Sequence, residues 1–261
     1  MIQVNKLTKR YGEHIAVNDL SFTVRDGRIY GFLGPNGAGK STTMNIITGC
    51  LAATSGDVFI SGYDIIDSPQ EAKRLIGYLP EIPPLYPDRT PAEFLRFVAE
   101  AKHVPANEIG KQICEVMEKT KITDVSNRLI ANLSKGYRQR VGIAQALLGN
   151  PEYIILDEPT VGLDPLQIIE IRELILSLRK EHTVILSSHI LSEVQAVCDD
   201  VLMISSGSVI ACDTIENLKK SIQSADTSDT SLEAIYIELL KKNDRLASDA
   251  EEGAAEEEVI S

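Results

Sequence analysis

The chain has 261 residues and a formal net charge of −12, and 43% of its residues are hydrophobic. This apolar content can fill a sizeable core, which excludes a chain that is disordered throughout. No apolar run reaches the roughly 18 residues that a membrane-spanning helix needs, and the first residues lack the continuous apolar segment of a signal peptide. The four cysteines lie far apart, which favours reduced thiols in a cytosolic protein over a disulfide framework or a Cys-x-x-Cys metal site.

The acidity is concentrated at the end of the chain. Asp249 to Ser261 contain six acids and no base, so half of the excess negative charge belongs to this segment. We interpret residues 245–261 as an acidic, disordered tail. The negative charge of the remaining residues disfavours nucleic acid as a partner, because nucleic acids attract basic surfaces.

Short runs rich in Ile and Val alternate along the chain with longer segments of helical period, which predicts an α/β fold. The first two strands are typical of an antiparallel hairpin, and the third runs into a glycine-rich loop. In the first third of the chain, strands are predicted at 2–7, 16–24, 29–33, 58–60 and 76–79, and a helix at 41–50.

The character of the sequence changes at residue 82, where four prolines precede two segments of helical period at 92–103 and 107–121. No strand pattern returns before Tyr153, so residues 82–149 are predicted to form a helical insertion in an otherwise alternating fold. Beyond the insertion, strands are predicted at 153–156, 183–187 and 201–204, and helices at 165–180 and 191–198.

The C-terminal segment begins with a polar, linker-like stretch at 221–229. A capping box at 230–233 then precedes apolar residues at helical spacing, which predicts one further amphipathic helix. The chain contains no internal repeat. We therefore divide it into a main domain at 1–220, a linker with an amphipathic helix at 221–244, and the tail.

A glycine-rich loop follows the third predicted strand and matches the pattern G-x-x-x-x-G-K-[ST]. Such glycines let backbone N–H groups surround phosphate oxygens, while the lysine reaches the outer phosphates and the hydroxyl ligates Mg²⁺. A plain glycine-rich turn with an exposed lysine is the alternative, which the strand and helix on either side disfavour. The predicted nucleotide-binding residues of this loop are Gly34, Pro35, Asn36, Gly37, Ala38, Gly39, Lys40, Ser41 and Thr42.

Two acids, Asp157 and Glu158, end the apolar strand at 153–156. Acids at the carboxyl end of a parallel strand face the crevice in which α/β sheets bind ligands. Asp157 is suited to Mg²⁺, and Glu158 to activating an attacking water as a general base. Taken alone, such a pair is more often a helix cap or a solvated strand end. Together with the phosphate loop and Lys40, it predicts a site of nucleotide hydrolysis.

Five elements in this order resemble the ATP-binding subunits of ABC transporters: GPNGAGKST at 34–42, LSKGYRQR at 133–140, ILDEPT at 155–160, GLDP at 162–165 and Ser188-His189. The resemblance covers residues 2–220. It implies a P-loop NTPase fold in which a mixed central sheet is joined by an N-terminal antiparallel β subdomain and an inserted α-helical subdomain. Residues 1–220 would then be one ABC ATPase cassette.

The resemblance also implies roles for five residues outside the phosphate loop. Tyr11 would stack on adenine, and His189 would contact the γ-phosphate and orient the attacking water. Ser134 and Gly136 would bind the γ-phosphate of an ATP held by the opposite subunit, and Asp164 would make a cross-subunit contact. The alternatives are a surface or core tyrosine, a structural histidine, and a serine that only caps its helix.

Two positions depart from the commoner pattern of this family. Glu81 stands where many members have glutamine. The segment 133–140 resembles the family's signature motif, and it reads Lys135-Gly136-Tyr137 where that motif often reads Gly-Gly-Gln. A carboxylate can still ligate Mg²⁺ but has no amide donors. Both variants resemble those of bacterial cassettes that serve a separate six-helix membrane subunit, often an exporter.

The function implied by the resemblance is an Mg²⁺-dependent ATPase that forms a homodimer around two ATP molecules. It would drive a separate transmembrane permease, for export, from the cytoplasmic face of the cell membrane. A short cytoplasmic helix of the permease would dock beside Glu81 and the loop at 83–88, near Tyr86, and a solvent-facing proline-rich loop is the alternative there.

Two other functions compete with this one. The first is a soluble ABC-type ATPase that acts on DNA or ribosomes, which is disfavoured because such proteins usually carry two cassettes, a long coiled coil or basic arms. The second is a binding module without turnover, which the presence of Asp157, Glu158 and His189 disfavours.

Overall fold

The computed structural model describes residues 1–222 and 232–241. Its strands, in chain order, are β1 (Ile2–Tyr11), β2 (His14–Val24), β3 (Ile29–Leu33), β4 (Ser55–Ile60), β5 (Tyr63–Asp64), β6 (Ile76–Leu79), β7 (Tyr153–Leu156), β8 (Thr183–Ser188), β9 (Asp200–Ser205) and β10 (Ser208–Thr214). Its helices are α1 (Lys40–Ile47), α2 (Pro69–Arg74), α3 (Pro91–Ala101), α4 (Ala106–Lys119), α5 (Lys135–Leu147), α6 (Pro165–Leu178), α7 (Leu191–Val197), α8 (Ile215–Ile222) and α9 (232–241).

The first sheet is antiparallel, with the strand order β2-β1-β4-β5. β1 and β2 form the predicted hairpin, and Ile2 pairs with Val24. β1 buries Ile2, Val4 and Leu7 and exposes most of the polar residues between them, so its apolar face covers the core. Both strands of the hairpin are longer than predicted, because their polar ends at the turn also pair through the backbone.

The second sheet is mixed, with the order β10-β9-β3-β8-β7-β6. Its strands are parallel except for β10, which pairs antiparallel with β9. Every residue of β3, β7 and β8 is buried, as expected for parallel strands that are covered on both faces. The loops that follow these three strands meet at one edge of the sheet, and the functional residues lie there.

The segment between β6 and β7 contains α3, α4, α5 and two short 3-10 turns, Thr123–Val125 and Ile130–Asn132. A capping box starts α3: Thr90 Oγ1 accepts a hydrogen bond from Glu93 N, and Glu93 Oε2 accepts one from Thr90 N. At the C-terminal end of α5, the ammonium of Lys102 donates to the carbonyl oxygens of residues 145, 146 and 148. Burial lowers the pKa of Lys102 to about 8.

Several elements were not predicted, namely α2, β5, β10 and α8. β10 follows β9 through Ser206 and Gly207, which both have a positive φ and form a tight two-residue turn. α8 ends at Ile222, so its last two residues lie within the segment predicted as a linker. The remainder of that linker, the first residues of the predicted capping box and the acidic tail lie outside the described residues.

The predicted amphipathic helix is present at 232–241. Its residues Leu232 and Ile235 are buried in the same hydrophobic cluster as the helices of the insertion. None of the helices within the described ranges is long and apolar enough to cross a membrane.

The packing of α5 on β6 leaves no space for a side chain at Gly77. A Cβ atom there would lie 2.1 Å from the carbonyl oxygen of Ala146. We expect Gly77→Ala to lower the free energy of unfolding by about 1–3 kcal/mol, measured as a lower midpoint in urea. Gly110→Ala on α4 is the control, since no atom outside the backbone of its own helix lies within 4 Å of its Cβ position and alanine favours the helix. Equal midpoints for the two variants would contradict this packing.

Candidate functional site

The glycine-rich loop between β3 and α1 has positions at which only glycine fits without steric clash or backbone strain. Gly37 and Gly39 have a positive φ, and a Cβ on Gly39 would lie 2.4 Å from the carbonyl oxygen of Ala16. A Cβ on Gly34 would lie equally close, at 2.4 Å, to the carbonyl oxygen of Ile204. α1 then begins at Lys40 without a side-chain cap, so the backbone N–H groups of its first turn point out of the helix start. This arrangement suits a phosphate group.

Lys40 lies inside the loop that precedes it. Its ammonium donates to the carbonyl oxygens of Gly34, at 2.8 Å, and Pro35, at 3.2 Å. It also lies 3.6 Å from Glu158 Oε1, and only 6% of the side chain is exposed. The loop therefore carries a fixed positive charge next to its backbone donors.

Asp157 and Ser187 connect the ends of β7 and β8. Ser187 Oγ donates a hydrogen bond of 2.5 Å to Asp157 Oδ1, and Ser41 Oγ donates to the same oxygen at 3.2 Å. The Ser187 hydroxyl also accepts the backbone N–H of Glu158 at 2.8 Å. One buried serine hydroxyl thus fixes both acids that follow β7.

Glu158 has a φ of 48°, in the left-handed region that residues other than glycine rarely adopt. Such backbone strain persists only where the surrounding structure holds it, and it is concentrated at functional sites. The Glu158 carboxylate lies between Lys40 and His189, whose Nδ1 is 3.0 Å from Oε2. Because a carboxylate only accepts hydrogen bonds, His189 Nδ1 carries the proton, and its Nε2 is left for another partner.

A cleft of about 520 Å³ lies in front of these groups. Tyr11 lines one side with about half of its surface exposed, and Glu81 also faces the cleft. The full lining is Tyr11, His14, Ala16, Asn36, Gly37, Gly39, Lys40, Ser41, Thr42, Glu81, Glu158, Val161 and His189. The structure therefore brings together in one place the phosphate loop, Tyr11, Glu81, Glu158 and His189.

Seven predicted site residues are absent from this lining, although the structure describes all of them: Gly34, Pro35 and Ala38 of the loop, Asp157, which accepts a hydrogen bond from Ser41, and Ser134, Gly136 and Asp164. Ser134 caps α5 by accepting the N–H of Tyr137, and Asp164 caps α6 by accepting that of Gln167. A Cβ on Gly136 would lie 2.5 Å from the Gln167 side chain. The starts of α5 and α6 therefore pack against each other, and none of these residues lines the cleft of the same chain.

Sequence reasoning assigned no role to Ser187, His14 or Tyr78. Leu186 of β8 pairs with Leu156 of β7, so Ser187 and Asp157 are the next residues in register. Knowledge of this strand pairing would have indicated the contact between Ser187 and Asp157. Tyr78 donates to Asn45 Oδ1 at 3.2 Å, and burial, with the negative charge of Asp157, raises the pKa of its hydroxyl.

The parallel sheet, the glycine-rich loop and the acids at the neighbouring strand end define a P-loop nucleoside triphosphatase. The family model described as ABC transporter matches residues 17–161. The bacitracin transport ATP-binding protein BcrA of Bacillus licheniformis is 41% identical over 222 residues, which are 84% of this chain and 72% of that protein.

Two solved structures share this fold. One is an ATP-binding subunit of an ABC transporter, with a TM-score of 0.81 and 32% identity over 92% of this chain and 99% of that one. The other is a dimeric ATP-binding cassette in a post-hydrolysis state with ADP and phosphate, with a TM-score of 0.74 and 26% identity over 82% of this chain and 98% of that one. The chain belongs to the ABC transporter family, as an ATP-binding subunit that hydrolyses ATP.

The position of Ser187 predicts the effect of removing its hydroxyl. Ser187→Ala leaves the buried N–H of Glu158 without its acceptor, which costs about 1–3 kcal/mol of unfolding free energy. We also expect phosphate release from ATP to slow about tenfold, because Asp157 and Glu158 lose a common anchor. Urea unfolding and a phosphate-release assay measure the two effects. Ser192→Ala, at an exposed position of α7, is the control, and unchanged turnover of Ser187→Ala would contradict the anchoring role.

Proposed function

We propose that this chain forms a homodimer around two ATP molecules and drives a separate transmembrane permease, in the direction of export. The carboxylate of Glu158, held between Lys40 and His189 at the edge of the cleft, is the observation that carries the proposal. It places a base, a cation and a hydrogen-bonding imidazole around one point, as hydrolysis of a terminal phosphate requires.

The residues of the cleft fit a nucleotide and a magnesium ion. The backbone of 34–42 and Lys40 bind the phosphates, and Tyr11 offers an aromatic face to the base. Ser41 and Asp157 already share a hydrogen bond, so their oxygens converge, and Mg²⁺ bound to nucleotides commonly takes only one or two protein ligands. When bound there, Mg²⁺ would offset the charge of the phosphates. Glu81 adds a carboxylate to the lining of the cleft.

Glu158 is placed to take a proton from the attacking water. Its carboxylate lines the cleft, and the Ser187 hydroxyl fixes its strained backbone by accepting the N–H of the same residue. His189 donates to Glu158 through Nδ1 and orients the carboxylate. Lys40 stabilises negative charge that develops on the terminal phosphate.

A second copy of the chain completes each site in this proposal. Ser134 and Asp164 are exposed at helix starts outside the cleft of their own chain, where they are available to another subunit, and the buried Gly136 lies in the first turn that follows Ser134. The dimeric solved cassette supports this arrangement. We also propose the domain boundaries given above: a cassette at 1–220 with an insertion at 82–149, a linker and helix at 221–244, and an acidic tail at 245–261.

The proposed docking surface for the permease is the loop at 83–88 with the first turns of α3. Tyr86 contacts Phe94 and Phe97, with ring centroids 5.8 Å and 5.5 Å apart, and Phe97 and Ile82 are largely exposed. The loop is fixed to the insertion, since Pro87 O accepts the N–H of Ala131. A rigid, exposed aromatic and apolar surface suits a short helix of a partner.

Export, and peripheral attachment at the cytoplasmic face of the membrane, depend on the resemblance to one branch of the family. Glu81 and the sequence Lys135-Gly136-Tyr137 carry that resemblance. The bacitracin transport relative supports a transporter role. The alternative of an ATPase that acts on DNA or ribosomes gains no support, because the relatives and structures named above are cassettes or transporter subunits.

Replacement of Glu158 by glutamine tests the general base. The amide keeps the size of the side chain but does not accept a proton, so we expect phosphate release to fall about 10²- to 10⁴-fold. ATP binding persists, and ATP should hold the variant as a dimer that size-exclusion chromatography with light scattering detects. Glu115→Gln, on the exposed face of α4, is the matched control. Turnover of Glu158→Gln at the wild-type rate would remove Glu158 from this role.

Tyr86→Asp tests the docking surface. A charge within the aromatic cluster should reduce the share of the chain that sediments with membranes, while phosphate release by the purified variant stays unchanged. Tyr63→Asp is the matched control, because Tyr63 is similarly exposed, 44% against 46%, but lies in the antiparallel sheet. Equal sedimentation of both variants with the wild type would exclude docking at Tyr86.

A further inference from the structure

A buried polar cluster lies behind the cleft, around Glu193 of α7. Only 5% of Glu193 is exposed. Its Oε2 accepts hydrogen bonds from Thr160 Oγ1 and, at 3.2 Å, from Ser188 Oγ. The Ser188 hydroxyl in turn accepts the N–H of Ile190 at 3.0 Å. A buried carboxylate with two hydroxyl donors is a strong and directional anchor.

Arg172 of α6 approaches the same carboxylate from the other side. Its guanidinium lies 4.0 Å from Glu193 Oε1, beyond hydrogen-bond distance. Within the described part of the chain, Arg172 Nε is buried without a hydrogen-bond partner. A shift of about 1 Å would bring this pair within hydrogen-bond distance.

Each partner of Glu193 belongs to a segment that carries a residue of the proposed mechanism. Thr160 follows Glu158 by two residues, and Ser188 directly precedes His189. Arg172 lies two turns along α6 from Asp164, which caps the start of that helix. Glu193 therefore touches the segments of the base, of the histidine and of the cross-subunit contact.

We propose that Glu193 is a positioning residue that couples the cross-subunit contact of Asp164 to the Glu158–His189 pair. This inference rests on the proposed function. A displacement of α6 at its Asp164 end reaches Glu193 through Arg172, and Glu193 passes it to Thr160 and Ser188. Glu193 does not face the cleft and touches no reacting atom, so it acts only through its neighbours.

The variant Glu193→Gln keeps the shape of the side chain and one oxygen for the two hydroxyls, but it replaces the oxygen that faces Arg172 with an amide donor. We expect kcat for phosphate release to fall about five- to tenfold, with KM for ATP within about twofold of the wild type. Thr160→Val, which removes one hydroxyl donor, should behave in the same way. Glu173→Gln, one residue from Arg172 on the exposed face of α6, is the matched control and should leave kcat unchanged.

A double-mutant cycle with Asp164→Ala separates coupling from a merely structural role. If Glu193 transmits the Asp164 contact, Glu193→Gln should slow an Asp164→Ala enzyme by less than about twofold. The proposal would be overturned if the kcat losses of the two single variants multiply in the double variant. It would also be overturned if Glu193→Gln leaves kcat unchanged, or if it raises KM as kcat falls.

ATP-dependent dimerisation of the Glu158→Gln variant, followed by light scattering, distinguishes failure of the Glu193 coupling from failure of the proposed function. If the dimer forms and Asp164→Ala impairs turnover, kcat losses that multiply in the double variant reject only the role of Glu193, and the proposed function stands. If no dimer forms, or if Asp164→Ala is fully active, the proposed function fails, and the coupling through Glu193 fails with it.

Discussion

The parallel pairing of β3, β8 and β7 is the constraint on which the whole site depends. The phosphate loop, the acid pair and His189 come from three segments that are far apart in the chain, and each follows one of these strands. Because parallel strands end at the same edge, pairing in register is sufficient to bring the three loops together. The Ser187 hydroxyl then fixes the final positions, since it bonds to Asp157 across the strand boundary and holds the N–H of Glu158.

Electrostatics explain why the proposed substrate is a metal complex and not free ATP. Glu158 lies 3.6 Å from Lys40, Asp157 accepts a hydrogen bond from the adjacent Ser41, and Glu81 lines the same cleft, so carboxylates outnumber the lysine around the phosphate loop. A bare polyphosphate would meet repulsion there that backbone N–H groups offset only in part. A divalent cation reverses this balance. Glu81 contributes one of these negative charges.

The parts of the molecule that were predictable from sequence are those with local signals. The periodicity of the strands, the glycine-rich loop and the acids after β7 each lie within a few consecutive residues. β10 was missed although Ser206-Gly207 is a recognisable turn. The roles of Ser187 and Glu193 could not be predicted, because their partners are distant in sequence and depend on strand register and helix packing. The positive φ of Glu158 is likewise imposed by its surroundings.

Packing also explains how the proposed cross-subunit contact at Asp164 can affect the cleft that contains Glu158 and His189. Gly136 permits the start of α5 to lie against Gln167 near the start of α6, so the signature segment and Asp164 form one unit. The far side of α6 reaches Glu193 through Arg172, a contact that is incomplete in this structure. In the proposed dimer, docking of one subunit on the start of α6 would therefore displace the end of β8, which His189 follows. A close-packed interior transmits such a displacement because it cannot absorb it by compression, and hydrolysis in each cleft would then respond to the presence of the second subunit.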